Sequence, residues 1–269
     1  IGDMGDRGGV TDAGIAHLYE RGAAGTWENI LSIQPSSLAS GDDFGWSGVA
    51  LGEDILAVGA KGDSLGGQVY IFGKENLQWS DTIVQTLNPP AGGSGEMGHP
   101  IVLKGDLLLA GAQTNDSSKG AVVIFQKFNN TWHQTQTLRS ADLSANDKFG
   151  YSIACYEDVI AVGTEAQDSN KGAVYIFQKF GTKWKQVNKI VAQDAATNSR
   201  FGSSVLIEGD LLFIGSRGWN SNQGKIYIYR RRGRSWASVM EVNYNSGFSA
   251  NVADQVIEDE NTIKPLYAS

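Results

Sequence analysis

The chain repeats itself with a step of 52 or 53 residues, and this restricts its fold more than any other property. Five tryptophans stand at positions 27, 79, 132, 184 and 236. Five glycines, Gly14, Gly67, Gly120, Gly172 and Gly224, each precede an alternating apolar stretch such as residues 173–177, AVYIF. A third series is Gly59, Gly111, Gly163 and Gly215. A fourth is Phe44-Gly45, Met97-Gly98, Phe149-Gly150 and Phe201-Gly202. Chance does not keep four registers in step along a whole chain.

One period predicts four short strands. The first follows the Phe-Gly pair, as in residues 152–156. A tight turn such as residues 208–210 leads to the second, residues 211–215. A polar loop, for example residues 114–120, leads to the third, and a short hairpin leads to the fourth, which carries the tryptophan. Short Val-, Ile-, Tyr- and Phe-rich runs punctuated by Gly, Asn and Asp are strands and hairpins. Four antiparallel strands recurring every 50 residues or so are the pattern of a propeller blade. The expected fold is therefore all-β: a single five-bladed β-propeller spanning residues 1–269. The repeats are 44–96, 97–148, 149–200 and 201–247, with a fifth blade split between residues 1–43 and 248–269. Composition agrees. Glycine contributes 34 of 269 residues and proline only 5, which suits tight turns rather than proline-rich linkers.

The same composition narrows the function. The formal net charge is −7, so the basic footprint of a nucleic-acid binder is missing. No apolar run approaches the ~20 residues of a membrane helix, so no insertion into a membrane is expected. The single cysteine, Cys155, excludes an intrachain disulfide and lies in a strand that should bury it. A start at Ile1 suggests a processed product or a fragment of something longer.

Val162-Gly163, residues 172–177 (GAVYIF), Trp184 and residues 201–205 (FGSSV) together closely resemble FG-GAP repeats of the bacterial type. These are relatives of the repeats in the integrin α-chain β-propeller. The resemblance recurs four to five times in register and implies an extracellular or cell-surface adhesion module. One departure matters. The calcium-binding form carries a DxDxDG-like loop, whereas the loops between second and third strands here read KGDSLGG, TNDSSKG, AQDSNKG and WNSNQG. Each keeps a single Asp or Asn four residues before the glycine: Asp63, Asp116, Asp168 and Asn220. One carboxylate per loop is too few for a site of 6–8 oxygens. These side chains are expected to cap their own turns, no cofactor or metal is expected, and the chain should fold without calcium.

Other strings carry no assembled chemistry. Residues 62–66, GDSLG, match two hydrolase signatures, but both need a histidine partner and one needs a strand–turn–helix elbow. Here the string fills a polar loop. Residues 93–98, GSGEMG, match the dinucleotide fingerprint without the helix that reading requires. The basic run from Arg230 to Arg234 falls in a third-to-fourth-strand hairpin and reads as a solvated tip or an anion-docking patch. Asn115 and Asn129 open glycosylation sequons in loops expected to be exposed.

The aromatics form two sets. The five periodic tryptophans should pack one blade on the next. Trp46 and Trp219 break the repeat, and Trp46 takes the slot held elsewhere by His99, Tyr151 and Ser203. Trp46, Tyr151 and Trp219, beside Asp63, Asp116, Asp168 and Asn220, are candidate ligand contacts on the loop face; partial burial between loops is the alternative. Rings beside hydrogen-bonding groups suit sugars. The expected function is a non-enzymatic, secreted or surface recognition module for a glycan or an extracellular protein. A filament subunit and a hydrolase with a central-channel site are the alternatives. Finally, residues 252–258 and 262–268 resemble first and second strands, so the tail is expected to complete the first blade or to mediate self-association.

Overall fold

The computed structural model describes residues 1–3, 11–89, 95–243 and 247–250. They form five antiparallel sheets in chain order, the blades of a β-propeller. The first blade contains Gly2–Asp3, Ile15–Arg21 and Trp27–Ile33. The second contains Phe44–Leu51, Ile55–Ala60, Gln68–Glu75 and Gln78–Leu87. The third runs Met97–Lys104, Leu107–Ala112, Ala121–Phe128 and Thr131–Leu138. The fourth runs Ser152–Tyr156, Val159–Thr164, Ala173–Phe180 and Lys183–Ile190. The fifth has Phe201–Glu208, Leu211–Ser216, Lys225–Arg232 and Ser235–Asn243, with Gly247–Ala250 as an added edge strand.

That edge strand corrects one expectation. Residues 248–250 pair with Met240–Val242 on the fifth blade, not with the N-terminal strands. Pairing with the preceding strand closes a far shorter loop than crossing to the first blade. The strands expected at 252–258 and 262–268 lie outside the described residues.

The Phe-Gly pair is the joint between blades. Phe44, Phe149 and Phe201 are fully buried, and each meets aromatic rings of its own third strand edge-on. The backbone at each of these phenylalanines crosses the preceding blade at its pre-strand glycine, forming parallel bridges Gly14–Phe44, Gly120–Phe149 and Gly172–Phe201. Phe201 N–H donates to Lys171 O at 2.8 Å. A Cβ on Gly172 would lie 2.0 Å from Phe201 O, and its φ is +86°. The glycine series exists because another backbone occupies the space of its side chain.

The tryptophans cover the outer part of the same junctions. Trp132 packs into the core built on the second blade, and Trp184 into the core built on the third; they are 3% and 4% exposed. Glutamines hold both strands from across the junction. Gln85 Nε2 donates to Trp132 O and its Oε1 accepts from Trp132 N–H, both at 2.8 Å. Gln136 does the same for Trp184 at 2.7 and 3.0 Å. Trp79 and Trp236 are half-buried against the first and fourth blades. Trp27 departs from the expected packing. It is 67% exposed, because each such ring covers the preceding blade and no described blade precedes the first.

Cys155 is buried in the core between the third and fourth blades, where desolvation lifts its thiol to about 11. The arginine run is divided between packing and solvent. Arg231 makes a two-pronged ion pair with Asp158 of the fourth blade at 3.0 and 3.2 Å, and Arg234 stands 5.4 Å from the Phe180 ring. Arg231 therefore braces two blades, while Arg232 and Arg234 stay exposed at the hairpin tip.

Candidate functional site

The loops between second and third strands share one face with the linkers between blades, and backbone hydrogen bonds lock the two together. Asn146 and Lys148 N–H donate to Ser117 and Ser118 O. One repeat later, Asn198 and Arg200 N–H donate to Ser169 and Asn170 O. At three of the four linkers a small polar side chain two residues before the anchor shapes the turn. Asp42 Oδ2 accepts from Ala39 N–H, Asp147 Oδ2 from Ser144 N–H, and Ser199 Oγ from Ala196 N–H. Burial raises Asp42 above the ordinary carboxylate range, and the Ala39 hydrogen bond only partly offsets it. This periodic capping is visible in the sequence at 42, 147 and 199, two positions ahead of Phe44, Phe149 and Phe201, but it was not among the motifs expected to matter.

The four loop residues behave as turn formers. Asp116, Asp168 and Asn220 each open a left-handed turn with φ between +46° and +53°, continued by Ser117, Ser169 and Ser221 at φ +56° to +58°. Asp and Asn tolerate this region better than other side chains. Asp63 instead accepts a hydrogen bond from Leu65 N–H at 2.9 Å. Asp116 and Asp168 pair with Lys119 and Lys171 at 3.3 and 3.0 Å. Such loops do not fit a calcium site: three supply one carboxylate each and the fourth none, and two of the three are already answered by lysine. Among the described residues no cluster of three or more His, Cys, Asp or Glu is gathered for a metal.

A groove of about 870 Å³ opens between the fourth-blade loop 166–172 and the linkers 142–147 and 189–195. Asp168 lines it, with Asp142, Asn146, Asn170, Lys189 and Gln193. Asp142 is the electrostatic centre of one wall. Burial pushes its carboxyl up, but hydrogen bonds from Lys189 (2.6 Å), Ser140 (2.6 Å) and Tyr175 (2.9 Å) prevail and hold it at about 2. A carboxylate whose folded value lies below its unfolded one stabilises the fold above the unfolded value. That contribution is lost as pH falls through the folded value. The Asp142–Lys189 pair should therefore persist to about pH 3 and open as pH approaches 2. An NMR titration of the Asp142 carboxyl checks this; a midpoint near 4 would contradict it.

The next repeat builds the same arrangement. Asp194 accepts from Lys225 Nζ (2.7 Å), Tyr227 Oη (2.6 Å) and Trp219 Nε1 (3.0 Å). Burial raises this carboxyl, and those three donors more than offset it, so it titrates below the usual range. Lys225 lies 5.0 Å from the Trp219 ring centre, and Trp219 is half-buried. Between the two clusters Glu165, 6% exposed at its side chain, takes Arg217 in a two-pronged pair at 2.8 and 2.9 Å and Arg200 at 3.5 Å. The Arg217 guanidinium lies 5.9 Å from the Tyr151 ring.

The structure thus brings together only part of the candidate set. Tyr151 and Trp219 flank polar clusters on the fourth and fifth blades, and Asp168 lines the groove. Trp46 is 54% exposed but stands on the second blade, apart from both. Asp142, Glu165, Lys189, Asp194, Arg217 and Lys225 were missed. Asp142 and Asp194 stand 52 residues apart, as do Glu165 and Arg217, so the repeat places them; what it does not show is which residues they pair with. Of the sequons, Asn129 is exposed at a hairpin tip, while Asn115 is corrected to buried, 4% exposed and bonded to Arg139.

Comparison with known proteins agrees with this geometry. Two curated relatives match over 39% of the chain: integrin alpha-11 and integrin alpha-2 of Mus musculus, 30% and 33% identical. The chain spans only 10% of their length. Among solved structures, a protein of Bacteroides uniformis assigned provisionally as a 6-phosphogluconolactonase superimposes with a TM-score of 0.60 at 11% identity. That match covers 90% of this chain and 66% of the other. Sqt1 of Saccharomyces cerevisiae gives 0.53 at 14% identity, covering 83% and 54%. At such identities the likeness is one of fold. The FG-GAP repeat model matches residues 27–72, 132–177 and 184–229, just over half of the chain, which therefore belongs to the FG-GAP repeat family.

Proposed function

We propose that this propeller is a non-enzymatic recognition module of the cell surface or extracellular space, gripping a glycan or a protein with its loop face. The observation that carries the reading is the groove around Asp142, Asp168 and Lys189. It is open, pre-formed by hydrogen-bonded loops, and lined by groups that accept from and donate to hydroxyls. The two-pronged Arg217–Glu165 pair and the Trp219–Asp194 bond hold the neighbouring surface rigid, which lowers the ordering cost of binding. The FG-GAP family and the integrin relatives support an adhesive role.

A hydrolytic reading gains little from the side chains. Ser64 lies in an exposed loop, and the histidines are engaged elsewhere: His17 with Ser32, His99 with Gln113, His133 against Phe128. A second reading, a building block of a fibrous assembly, is favoured by the uncovered ring of Trp27.

A glycan array probed with the labelled chain, followed by titration of any hit, tests the proposal. Lys189→Ala, Asp168→Ala and Trp219→Ala should each weaken binding by about 1–3 kcal/mol if they are hot spots. Trp219→Ala should leave the melting temperature nearly unchanged, since the ring is only half-buried. Variants that bind as the wild type would remove this face as the site, and a large thermal loss for Trp219→Ala would make the ring structural.

A further inference from the structure

The third-to-fourth-strand hairpins leave the blades at the end opposite the loop face, because each third strand begins at a loop and ends at a hairpin. Two neighbouring hairpins carry an unbalanced charge. Residues 178–186 of the fourth blade and 229–237 of the fifth hold seven of the chain's 22 Lys and Arg side chains and no Asp or Glu. The whole chain has a formal net charge of −7, so these hairpins concentrate a positive field on one part of a negative molecule.

The partners of these cations divide them into two groups. Arg231 and Arg230 are answered by carboxylates, Asp158 at 3.0 Å and Asp210 at 3.4 Å. The other five, Lys179, Lys183, Lys185, Arg232 and Arg234, are exposed. Three of them lie against aromatic rings. Lys179 is 5.9 Å from the Trp184 ring centre, and Lys185 and Arg234 approach the Phe180 ring at 5.8 and 5.4 Å. Lys183 Nζ donates to Thr135 O of the third blade at 3.4 Å. Cations from two blades therefore meet at one ring, and a ring orients a cation without cancelling its charge. Like charges gathered on one surface repel, and an anion placed among them relieves the repulsion.

A groove of about 480 Å³ continues this surface onto the third blade. Gln126, Phe128 and Thr135 form its third-blade wall, and Lys179, Thr182 and Lys183 its fourth-blade wall. Phe128 is 56% exposed. An apolar ring face beside hydroxyl and amide groups suits a sugar, and two lysines in the same lining ask for a sugar that carries negative charge. A concave groove takes in a chain, whereas a bilayer presents a plane. A nucleic-acid duplex would bring dense phosphate charge against a molecule that is negative elsewhere.

We propose that the hairpins of the third, fourth and fifth blades bind a linear anionic polysaccharide. One sugar ring lies in the groove against Phe128, and sulfate or carboxylate groups along the chain meet the five exposed cations. Arg232 and Arg234 offer paired N–H donors to such groups, and the lysines offer point charges. This site stands at the other end of the blades from the groove around Asp142 and does not depend on it.

The test uses the full 269-residue chain and two labelled decasaccharides, heparin with sulfate and carboxylate groups and hyaluronan with carboxylates alone. Fluorescence anisotropy should show saturable binding of at least one, weakening as salt is raised; the two arms tell which anion is read. Lys183→Gln with Lys185→Gln, and Arg232→Gln with Arg234→Gln, should each weaken binding by about fivefold or more. Phe128→Ala removes no charge and should still weaken it by about threefold or more, which attraction between charges alone would not produce. Lys61→Gln with Lys148→Gln takes two charges from the loop face and should bind as the wild type does. All these side chains are exposed or partly exposed, and circular dichroism confirms that the variants remain folded. Absence of saturable binding, wild-type affinity in Phe128→Ala or in both hairpin variants, or an equal loss in the loop-face control would overturn the proposal. So would tighter binding to duplex DNA or to phosphatidylserine vesicles than to either decasaccharide. Binding that arises only after residues 251–269 are deleted would also overturn it, giving the hairpins to the chain's own tail.

Discussion

Replacing Trp184 or Trp132 with alanine should cost about 3–5 kcal/mol of folding stability, the usual penalty for deleting a large buried aromatic. Both rings are almost fully enclosed, and each covers the core of the preceding blade. Truncation leaves a void at a junction where neither blade can collapse inward, because the Phe-Gly crossing fixes their separation. For a domain of this size each kcal/mol is worth roughly 2–4 °C. The melting temperature should therefore fall by about 6–20 °C. Trp27→Ala is the internal control. That ring is 67% exposed, so its removal should stay within about 0.5 kcal/mol, as for an ordinary surface change. Urea denaturation of the three variants checks the ordering. Equal midpoints for Trp184→Ala and Trp27→Ala would show that the repeat position, not the junction, sets the cost.

The contrast between Trp27 and Trp184 also shows how far the sequence reaches. The period alone gives the blades, because each unit repeats the same glycines, anchor and tryptophan. Its strand order follows from turn chemistry that is local. What a repeat cannot reveal is whether its neighbour is present. Trp27 and Trp184 hold the same register and have opposite burial. Ile226 and Val174 do likewise. The polar clusters escaped for a related reason. Asp142, Glu165 and Asp194 find their partners one strand or one blade away, Lys189, Arg217 and Lys225, at separations of 31–52 residues. No short motif encodes such a pair. The turn residues Asp116, Asp168 and Asn220 were legible because left-handed backbone asks for Asp or Asn at the position itself. The inward turn of Asn115 was not, because it depends on Arg139, 24 residues further on.

Gly172→Ala should be among the most damaging single-methyl changes available in this protein, and Gly224→Ala separates the two causes. At Gly172 the added Cβ would sit 2.0 Å from Phe201 O and 2.7 Å from Phe201 N, both backbone atoms that cannot swing aside. The residue must also hold φ at +86°, which costs a side-chain-bearing residue roughly 1–3 kcal/mol. Relieving the contact means separating the fourth and fifth blades. That loosens the bond from Phe201 N–H to Lys171 O and opens the seam in which Phe201 packs with Ala161, Val174 and Ile176 of the fourth blade. Gly224 has nearly the same φ, +78°, and nothing near its Cβ among the described residues, so alanine there pays the conformational cost alone. The expected order is a loss of about 1–3 kcal/mol for Gly224→Ala and clearly more for Gly172→Ala, or failure to fold. If Gly172→Ala does not fold, hydrogen exchange on Gly120→Ala, the same junction one blade earlier, gives the local opening free energy instead. Equal losses at Gly172 and Gly224 would mean that left-handed backbone, not the crossing of one blade's anchor over another, keeps these glycines in the repeat.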